Sequence, residues 1–340
     1  MFTPKYRLSQ KLLINITQIE RLYGQLEALR IPKNLELNLE RNNLIQSSYI
    51  SNSIEGNPLS LPEVTNLLLG DRMPANRNEK EVKNYFEILR NLDVYIGKNL
   101  SLALIKEIHQ KLLTGVDEKI AGLIRNKKVI IGKYIKNGDM VKIKVRHEPP
   151  FHFQKQIESE LSNLLIWYSR KKEIPTVITN GVFHHQFVYL HPFEDGNGRV
   201  CRLLTALLFL QSGYKINKYF VLDDWYDIDR ILYSDKLHSA DSGDKTEWLE
   251  YFSDGVKYSL QGALARVKNA VFTLNINQRP TAKEKQVLKL FQTIKQMTST
   301  DLAKKINISR QQAHSLLRSL VNKGFLEKRG QTKSAYYFLK

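Results

Sequence analysis

A twelve-residue stretch from His191 to Arg202 combines side chains that can bind and transfer phosphate groups. It reads His-Pro-Phe-Glu-Asp-Gly-Asn-Gly-Arg-Val-Cys-Arg, and an apolar run over residues 203–210 follows it. The apolar run predicts a helix, so the backbone N–H groups of Gly196, Asn197 and Gly198 should lie at its N-terminus. A helix N-terminus carries unpaired N–H donors and a partial positive charge, which together favour an anion. A phosphate is therefore the expected ligand.

Four side chains of the same stretch could complete a phosphate site. Arg199 and Arg202 are three residues apart, on one side of the first helical turn, where both can bind phosphate oxygens through paired hydrogen bonds. Asp195 offers a hard oxygen ligand for a magnesium ion that bridges the phosphates. His191 is a candidate general base at the mouth of the site. Each feature alone is usually structural, and only the combination predicts chemistry.

Composition places broad limits on the kind of protein. The 340 residues are 42% hydrophobic, which is enough for a large core and for two or three domains, and the net charge of +18 indicates an anionic partner. The single cysteine, Cys201, excludes an internal disulfide; we expect it to be a small packing residue, the alternative being a nucleophile beside Arg202. With no apolar leader and no membrane-spanning run, we expect a soluble, cytoplasmic protein without a membrane partner.

Apolar residues recur at helical spacing through most of the chain, which predicts a mainly α-helical fold. Ser60 and Glu63 form a predicted capping box at the start of one of these helices. The predicted helices cover residues 8–31, about 35–50, 61–69, 79–92, 102–113, 154–168, 175–189 and about 247–271.

Several histidines and one phenylalanine near the motif are interpreted as structural. His109 lies among apolar neighbours and is expected to be buried. His184 and His185 are adjacent, so they point in different directions along a helix and receive no role as metal ligands. Phe193 is interpreted as an apolar plug that fixes the motif loop to the core.

Residues 122–150 break the helical pattern. Two short β-type runs, 128–132 and 141–145, flank Asn-Gly-Asp at 137–139, which predicts a β-hairpin. Taken alone, such a hairpin could be a structural addition without a function.

Glu55 follows the helix predicted over about 35–50, which Gly56 and Pro58 would end. A carboxylate is disfavoured at this position because the helix dipole is negative at the C-terminus. The misplaced charge suggests a compensating cation elsewhere in the fold, although Glu55 alone could simply be a solvated acidic residue.

The His191–Arg202 stretch resembles the motif of the Fic family of nucleotide-transferring enzymes, His-x-Phe-x-Asp/Glu-Gly-Asn-Gly-Arg-x-x-Arg, at every specified position. The resemblance implies ATP and Mg²⁺ as ligands, with the metal on Asp195. It implies that His191 takes a proton from a Ser, Thr or Tyr hydroxyl of a target protein. The hydroxyl oxygen then attacks the α-phosphorus of ATP and expels pyrophosphate. The nucleotide-binding residues that it implies are Gly196, Asn197, Gly198, Arg199, Val200, Cys201, Arg202 and Tyr233.

The stretch Ser51-x-x-x-Glu55-Gly56 also resembles an inhibitory motif of Fic proteins. In that family the glutamate pairs with the second arginine of the core motif, so Glu55 should face Arg202. Because Arg202 cannot offer the same face to a carboxylate and to a nucleotide phosphate, this pairing implies autoinhibition.

Two further segments are similar to Fic landmarks. The hairpin is similar to the family's flap, in which Ile130, Ile131 and Gly132 would pair with an extended segment of the target. Residues 122–125 before the hairpin also match a landmark. Residues 229–237 resemble a segment that lines the nucleoside pocket, in which Tyr233 matches while Asp229 and Ser234 depart from the usual Asn and Tyr, so base recognition stays open.

The C-terminal segment 279–340 has fourteen Lys or Arg and three Asp or Glu, a net charge of +11. Helices predicted over 282–294, 299–306 and 310–323, closed by Gly324 and followed by two short strands, predict a winged helix-turn-helix after a linker at 272–280. DNA and a protein partner both stay open, because winged helices bind either. The residues expected to contact DNA are Arg310, Gln311, Gln312, Lys328 and Arg329.

The sequence therefore predicts a mainly α protein with a Fic-type helical core, a small β-hairpin flap and a C-terminal winged helix-turn-helix domain. The predicted division is an N-terminal helical region 1–100 carrying the inhibitory motif, a Fic core 101–271, the linker 272–280 and the winged helix 281–340.

The leading functional hypothesis is a protein adenylyltransferase, inhibited by Glu55, that modifies a target protein and in some conditions itself. One alternative is the reverse enzyme, in which Glu55 and a metal-bound water remove AMP from a modified target. A second is a DNA-binding regulator whose core senses nucleotide, and a third is a donor other than ATP. The target, the DNA site and a homodimer all stay open.

Overall fold

The structure of the protein, a computed structural model, is mainly helical and divides into two compact units, Met1–Ala265 and Arg266–Lys340. No helix in the described part of the chain is long and apolar enough to cross a bilayer. Only the backbone is described at residues 33–35, 133–137, 140–144 and 272–278. The described residues are 2–29, 31, 33–70, 72–137, 140–170, 173–216, 218–278, 280–291, 294, 296–330 and 335–339.

The first unit is a helical assembly, and most of its helices lie where the sequence predicts one, although the helices Asp223–Ile228 and Arg230–Ser239 were not predicted. Two of the predicted helices, α3 and α5, have the predicted bounds, and Glu63 accepts the backbone N–H of Ser60, as the predicted capping box requires. The helices are α1 Gln10–Ala28, α2 Lys33–Ile54, α3 Leu61–Leu69, α4 Arg77–Arg90, α5 Leu102–Leu113, α6 Gln154–Ser169, α7 Thr176–Leu190, α8 Asn197–Gln211, α9 Asp223–Ile228 and α10 Arg230–Ser239, with 3₁₀ turns at Leu92–Tyr95 and Ala240–Ser242. The last helix of the unit, α11 Thr246–Gln278, continues beyond Ala265.

The centre of this unit is the pair α7 and α8, which pack against each other. Both helices are buried on almost every face, which is expected of helices at the middle of a large core. The loop between them is anchored by Phe193, which is fully buried and stacks on the buried His109 ring with centroids 3.7 Å apart. The interpretations of Phe193 as a plug and of His109 as a core residue are therefore confirmed.

The predicted hairpin is present but begins later than predicted, with β1 at Ile131–Asn137 and β2 at Met140–His147. The two strands are antiparallel, with an irregularity between Ile131 and Gly132, and Ile131 pairs with His147. β2 extends to His147 because the ring of that residue is hydrogen bonded to the helical core, a tertiary contact that local alternation does not reveal. The turn residues 138–139 lie outside the described residues.

The second unit has the elements of the predicted winged helix-turn-helix and a core of its own, formed by Val287, Phe291, Leu302, Leu317 and Leu320 with their neighbours. Two of its helices begin with capping boxes. Its elements are α12 Ala282–Phe291, α13 Ser299–Lys305, α14 Arg310–Asn322, and the antiparallel strands β3 Leu326–Arg329 and β4 Tyr336–Leu339.

The linker predicted over residues 272–280 is instead helical as far as Gln278, because α11 continues through it. The segment 272–278, Phe-Thr-Leu-Asn-Ile-Asn-Gln, has low helix propensity but contains neither glycine nor proline. Extending an existing helix needs no new nucleation, so weak helix formers can continue it. Pro280 lies two residues beyond the helix end, where it lacks the N–H that another turn would use.

Candidate active site

The loop 191–196 joins α7 to α8 and has left-handed backbone at both ends. His191 caps α7 with φ 47° and ψ 63°, and Gly196 precedes α8 with φ 77°. Glycine adopts this conformation freely, whereas it is uncommon for histidine and is concentrated at functional sites. The surrounding fold therefore determines the position of His191.

Arg125 is a buried residue that positions this loop. Its guanidinium donates from Nε to the carbonyl of His191 at 2.6 Å and from Nη2 to the carbonyl of Leu190 at 3.2 Å. A third bond, 2.8 Å long, joins Nη1 to the carbonyl of Lys127. A cation at the C-terminus of α7 is favoured by the helix dipole. In the sequence, residues 122–125 match only a family landmark. Nothing in the local pattern indicates that Arg125 is buried, with 1% of its surface exposed.

The ring of His191 is set up to accept a proton. Its Nδ1 lies 3.3 Å from the carbonyl oxygen of Val188, which can only accept, so Nδ1 carries the hydrogen and Nε2 keeps its lone pair. Burial lowers the pKa of His191 to about 4, which keeps the ring neutral at pH 7. A neutral imidazole with a free Nε2 is the form that a general base requires.

The predicted anion site at the start of α8, called here the anion cradle, has fewer free hydrogen-bond donors than the sequence indicates. The backbone N–H of Gly196 donates to the Asp195 carboxylate at 2.6 Å and is not free for a ligand. The Asn197 side chain is also engaged, because it accepts from the N–H of Phe193 at 2.9 Å and donates to the carbonyl of the same residue at 2.8 Å. The N–H groups at the first turn of α8, those of Asn197, Gly198 and Arg199, are the ones placed to meet an anion.

Asp195 and Arg199 lie on the α4 side of this helix end. Arg199 is 3% exposed, with Nη1 3.2 Å from a carboxylate oxygen of Glu81 and Nη2 3.4 Å from Asp195. The Asp195 side chain is 44% exposed and also lies 3.8 Å from Arg77. An exposed carboxylate beside a phosphate site suits Mg²⁺, which usually takes one or two protein carboxylates together with phosphate oxygens, so the donor set fits that ion.

Arg202 points to the other side of α8 and is held by the end of α2. Its Nη2 donates to Glu55 at 2.7 Å and to the carbonyl of Ser51 at 2.8 Å, while Nε donates to the Ser51 hydroxyl at 2.7 Å. The predicted ion pair between Glu55 and Arg202 is therefore present. Burial alone would lower the pKa of Arg202, but the Glu55 carboxylate raises it. The guanidinium edge that could bind a phosphate is already occupied.

The Glu55 carboxylate also lies directly on the N-terminus of α8. A Cβ added at Gly198 would overlap Glu55 Oε1 and would come within 3.1 Å of Arg202. Gly56, with φ 91°, ends α2 in the left-handed region and turns the chain away just after the glutamate. An internal carboxylate thus occupies the place where the sequence predicts a phosphate.

This close approach predicts opposite effects of Gly198→Ala in two backgrounds. In the parent, alanine should displace Glu55 and lower the melting temperature, since overpacking costs about 1–3 kcal/mol. In Glu55→Gly the carboxylate is absent and only the end of the flexible Arg202 side chain lies close, so alanine should raise the melting temperature by stabilising the helix by about 0.5–1 kcal/mol. Differential scanning calorimetry of the four proteins measures the coupling. Gly97→Ala, at a position with open space around it, is the control, and equal effects of Gly198→Ala in both backgrounds would contradict the packing argument.

Some predicted nucleotide-binding residues face the core. The side chains of Val200 and Cys201 are fully buried, so only their backbone could meet a ligand. The Cys201 thiol donates to the carbonyl of His184 at 3.4 Å, and burial raises its pKa, which agrees with a packing role. Tyr233 is buried against Tyr226, and its hydroxyl lies 3.0 Å from His184 Nε2. Its assignment to the nucleotide stays a prediction.

The predicted contact residues outside the motif are placed as follows. Ile130 precedes β1 and is 45% exposed, and Gly132 is exposed; their role in docking a target stays a prediction. In the second unit, Arg310, Gln311 and Gln312 are exposed at the start of α14, and Lys328 and Arg329 are exposed on β3.

A model of the Fic/DOC family matches residues 99–209, which include α5 to α7, most of α8, the hairpin and the motif loop. Residues 99–209 are a Fic domain. A model of the IclR helix-turn-helix domain matches residues 285–330, which agrees with the winged helix of the second unit.

Similar proteins extend the likeness beyond the Fic domain itself. Protein adenylyltransferase Fic of Aedes aegypti is 29% identical over 257 residues, 72% of this chain and 47% of its own length. Protein adenylyltransferase fic-1 of Caenorhabditis briggsae is 27% identical over 256 residues, 72% of this chain and 46% of its own. The chain thus spans about half the length of these curated relatives.

Solved structures share the fold. A Fic family protein from Desulfovibrio desulfuricans G20 is 22% identical with a TM-score of 0.68, and the match covers 100% of this chain and 98% of that one. Fic-1 of C. elegans, residues 134–508, is 22% identical with a TM-score of 0.60 and covers 76% of this chain and 73% of that one. At these identities the comparison supports the fold around the Fic domain.

Proposed function

We propose that this protein transfers AMP from ATP to a hydroxyl group of a target protein and that Glu55 holds it in an inhibited state. The observation that carries the proposal is the His191 ring, whose Nδ1 contacts the carbonyl of Val188 and thereby leaves Nε2 to accept a proton beside the anion cradle at the N-terminus of α8. Relatives named protein adenylyltransferase support the same chemistry.

Different residues of the loop have different roles in the proposed reaction. The N–H groups of Asn197, Gly198 and Arg199 would bind phosphate oxygens, where preorganised donors stabilise the charge of the transition state. Asp195 would hold a magnesium ion, which would supply further neutralisation of the phosphate charge. His191 Nε2 accepts the proton of the target hydroxyl, the hydroxyl oxygen forms a bond to the α-phosphorus, and the bond to pyrophosphate breaks.

Inhibition follows from the position of the Glu55 carboxylate. It pairs with Arg202 and lies over Gly198, so it competes for the same guanidinium and the same helix end as an ATP phosphate. A phosphate and a carboxylate cannot share one bidentate face of Arg202. ATP that binds beside Glu55 would therefore be held away from the alignment that in-line attack requires.

The test is mass spectrometry of the Glu55→Gly protein after incubation with ATP and Mg²⁺. We expect the chain to gain the mass of AMP at a hydroxyl-bearing residue, with the protein itself serving as target. The double variant Glu55→Gly, His191→Ala is the matched control and should gain none. If Glu55→Gly binds ATP but no AMP appears on any residue, the transferase proposal fails.

We infer a second activity for residues 281–340, the binding of DNA. It is supported by the match to a helix-turn-helix model and by the exposed basic residues of β3. Lys328→Ala should weaken binding of the full chain to duplex DNA about equally for all sequences and reduce the salt slope of log K by about 1. Fluorescence anisotropy at several salt concentrations measures this effect. Lys283→Ala, an equal charge loss on α12, is the control; equal losses in both variants would leave only a general charge effect.

A further inference from the structure

A second group of polar side chains lies at the base of the hairpin, outside the site described above. It consists of His147, His238 and Asp241, called here the hairpin-base cluster. His147 ends β2 and is 5% exposed, His238 belongs to α10, and Asp241 lies in the 3₁₀ turn that follows. Asp241 Oδ2 is 2.8 Å from His147 Nδ1 and 3.0 Å from His238 Nδ1. Three potential ligand atoms thus converge within 4.8 Å of one another.

The ring of His147 has acceptors on both of its nitrogens. Nε2 lies 3.0 Å from the carbonyl oxygen of Tyr189, which can only accept, so Nε2 carries a hydrogen. In a neutral ring, Nδ1 then holds a lone pair, and that lone pair points at a carboxylate oxygen of Asp241. Two acceptors 2.8 Å apart require a cation between them. The cation is either a proton between the two groups or a metal ion.

The surroundings hold the cluster in the arrangement that metal ligands usually have. The second oxygen of Asp241, Oδ1, lies 3.0 Å from His185 Nε2. Lys245 Nζ lies 2.7 Å from His185 Nδ1, and since an ammonium only donates, Nε2 of that ring donates to Asp241. Outer hydrogen bonds orient metal-binding side chains: a histidine donates its second N–H to a carbonyl or carboxylate oxygen, and a carboxylate accepts from a neighbouring donor. Both His147 and Asp241 have such partners.

We propose that His147 Nδ1, His238 Nδ1 and Asp241 Oδ2 bind one divalent transition metal ion, with Zn²⁺ the best match. Two imidazoles and one carboxylate suit a borderline metal and not a hard ion such as Mg²⁺ or Ca²⁺. Tetrahedral bonds of about 2.0–2.1 Å place ligand atoms about 3.3 Å apart. The separations of 2.8 and 3.0 Å between Asp241 Oδ2 and the two histidine nitrogens therefore need to widen by only a few tenths of an ångström. Asp241 and His238 are partly exposed, which gives water access to the fourth position.

A metal at this position would join three elements around the active site. It would link the end of β2 to α10, and the Nε2–H of His147 would carry the link to Tyr189, two residues before His191. The site is chemically distinct from a magnesium site at Asp195 and does not depend on the proposed transfer reaction. Its occupancy should stiffen the base of the hairpin.

The test is a titration of the full-length protein, first treated with a chelator, with Zn²⁺ in a calorimeter and with Co²⁺ by visible absorption. We expect one equivalent of each metal to bind, with Co²⁺ giving the absorption of a tetrahedral complex. His238→Ala and Asp241→Asn should each weaken binding by about tenfold or more. Both are partly exposed, so these variants avoid the folding risk of replacing His147. His314→Ala, an exposed histidine on α14, is the control and should bind as the parent does.

Two results would overturn the proposal. One is a parent protein that takes up no stoichiometric Zn²⁺ or Co²⁺, which would leave a proton and not a metal ion between His147 and Asp241. The other is unchanged affinity in His238→Ala and Asp241→Asn, with circular dichroism showing that both are folded. Hydrogen exchange gives an independent measurement. Addition of Zn²⁺ should slow the exchange of the amides of residues 140–147 in the parent and should leave it unchanged in His238→Ala.

Discussion

Replacement of His191 by alanine is expected to lower the rate of AMP transfer by about 10²–10⁴-fold, the usual contribution of a general base. The structure supplies the physical reason, because Nε2 is the free nitrogen and Arg125 holds the loop that carries the ring. The rate should be measured with labelled ATP in the Glu55→Gly background, so that inhibition does not mask the loss. The affinity for ATP should stay close to that of the parent.

The pH profile tests the same assignment independently. The pKa of His191 is lowered from its ordinary value of 6.5 to about 4 by burial, so the ring stays neutral and able to accept a proton as the pH falls through 6. Transfer by Glu55→Gly should therefore stay level from pH 8 to about pH 5 and fall only below that. A loss centred near pH 6.5, or full activity in His191→Ala, would remove His191 from the role of base.

Glu55→Gly is expected to raise the initial rate of AMP transfer about tenfold over the parent. A hydrogen bond between charged groups contributes about 1.5–3 kcal/mol, and the lower figure applies here because the Glu55 side chain is 35% exposed. Removing it frees one edge of Arg202 and clears the space over Gly198. The measurement is incorporation of labelled AMP at saturating ATP, so that a change in affinity does not imitate a change in rate.

Two further variants separate charge from general disturbance of α2. Glu55→Gln keeps the size of the side chain but not its charge, and should give an intermediate rate. Glu40→Gln removes a carboxylate from the same helix, far along the chain from the Arg202 contact, and should leave the rate unchanged. Equal rates in the parent and Glu55→Gly would show that the ion pair does not restrain the reaction.

The parts of the fold that the sequence predicted well are those that local signals determine. α3 has the predicted bounds because Ser60 and Glu63 cap it, and the second unit shows its helices through caps and apolar spacing. The residues of the motif could also be identified, since His191 to Arg202 are consecutive, and the chemistry that they indicate stays a prediction. The extent of α11 was not, because its last residues are weak helix formers that continue an existing helix.

The parts of the site that escaped prediction depend on contacts between distant segments. The Gly196 N–H and the Asn197 amide look available in the sequence, but they are engaged within the loop. The pairing of Glu55 with Arg202 was expected only from a family resemblance, because 147 positions separate the two residues. The hairpin-base cluster has no spacing signature, since its histidines lie on a strand and on a helix far apart in the chain.

Arg202 has a second carboxylate close by, Asp223, whose Oδ1 lies 3.9 Å from Arg202 Nε. A buried guanidinium left without a counterion is strongly destabilising, but Asp223 and the two Ser51 contacts remain when Glu55 is lost. If Glu55 restrains the reaction as proposed, position 55 is, in genetic terms, a site for gain-of-function alleles. One nucleotide change converts a glutamate codon to a glycine codon, so a single step would produce the proposed unrestrained enzyme, and we expect its folded amount to stay near that of the parent.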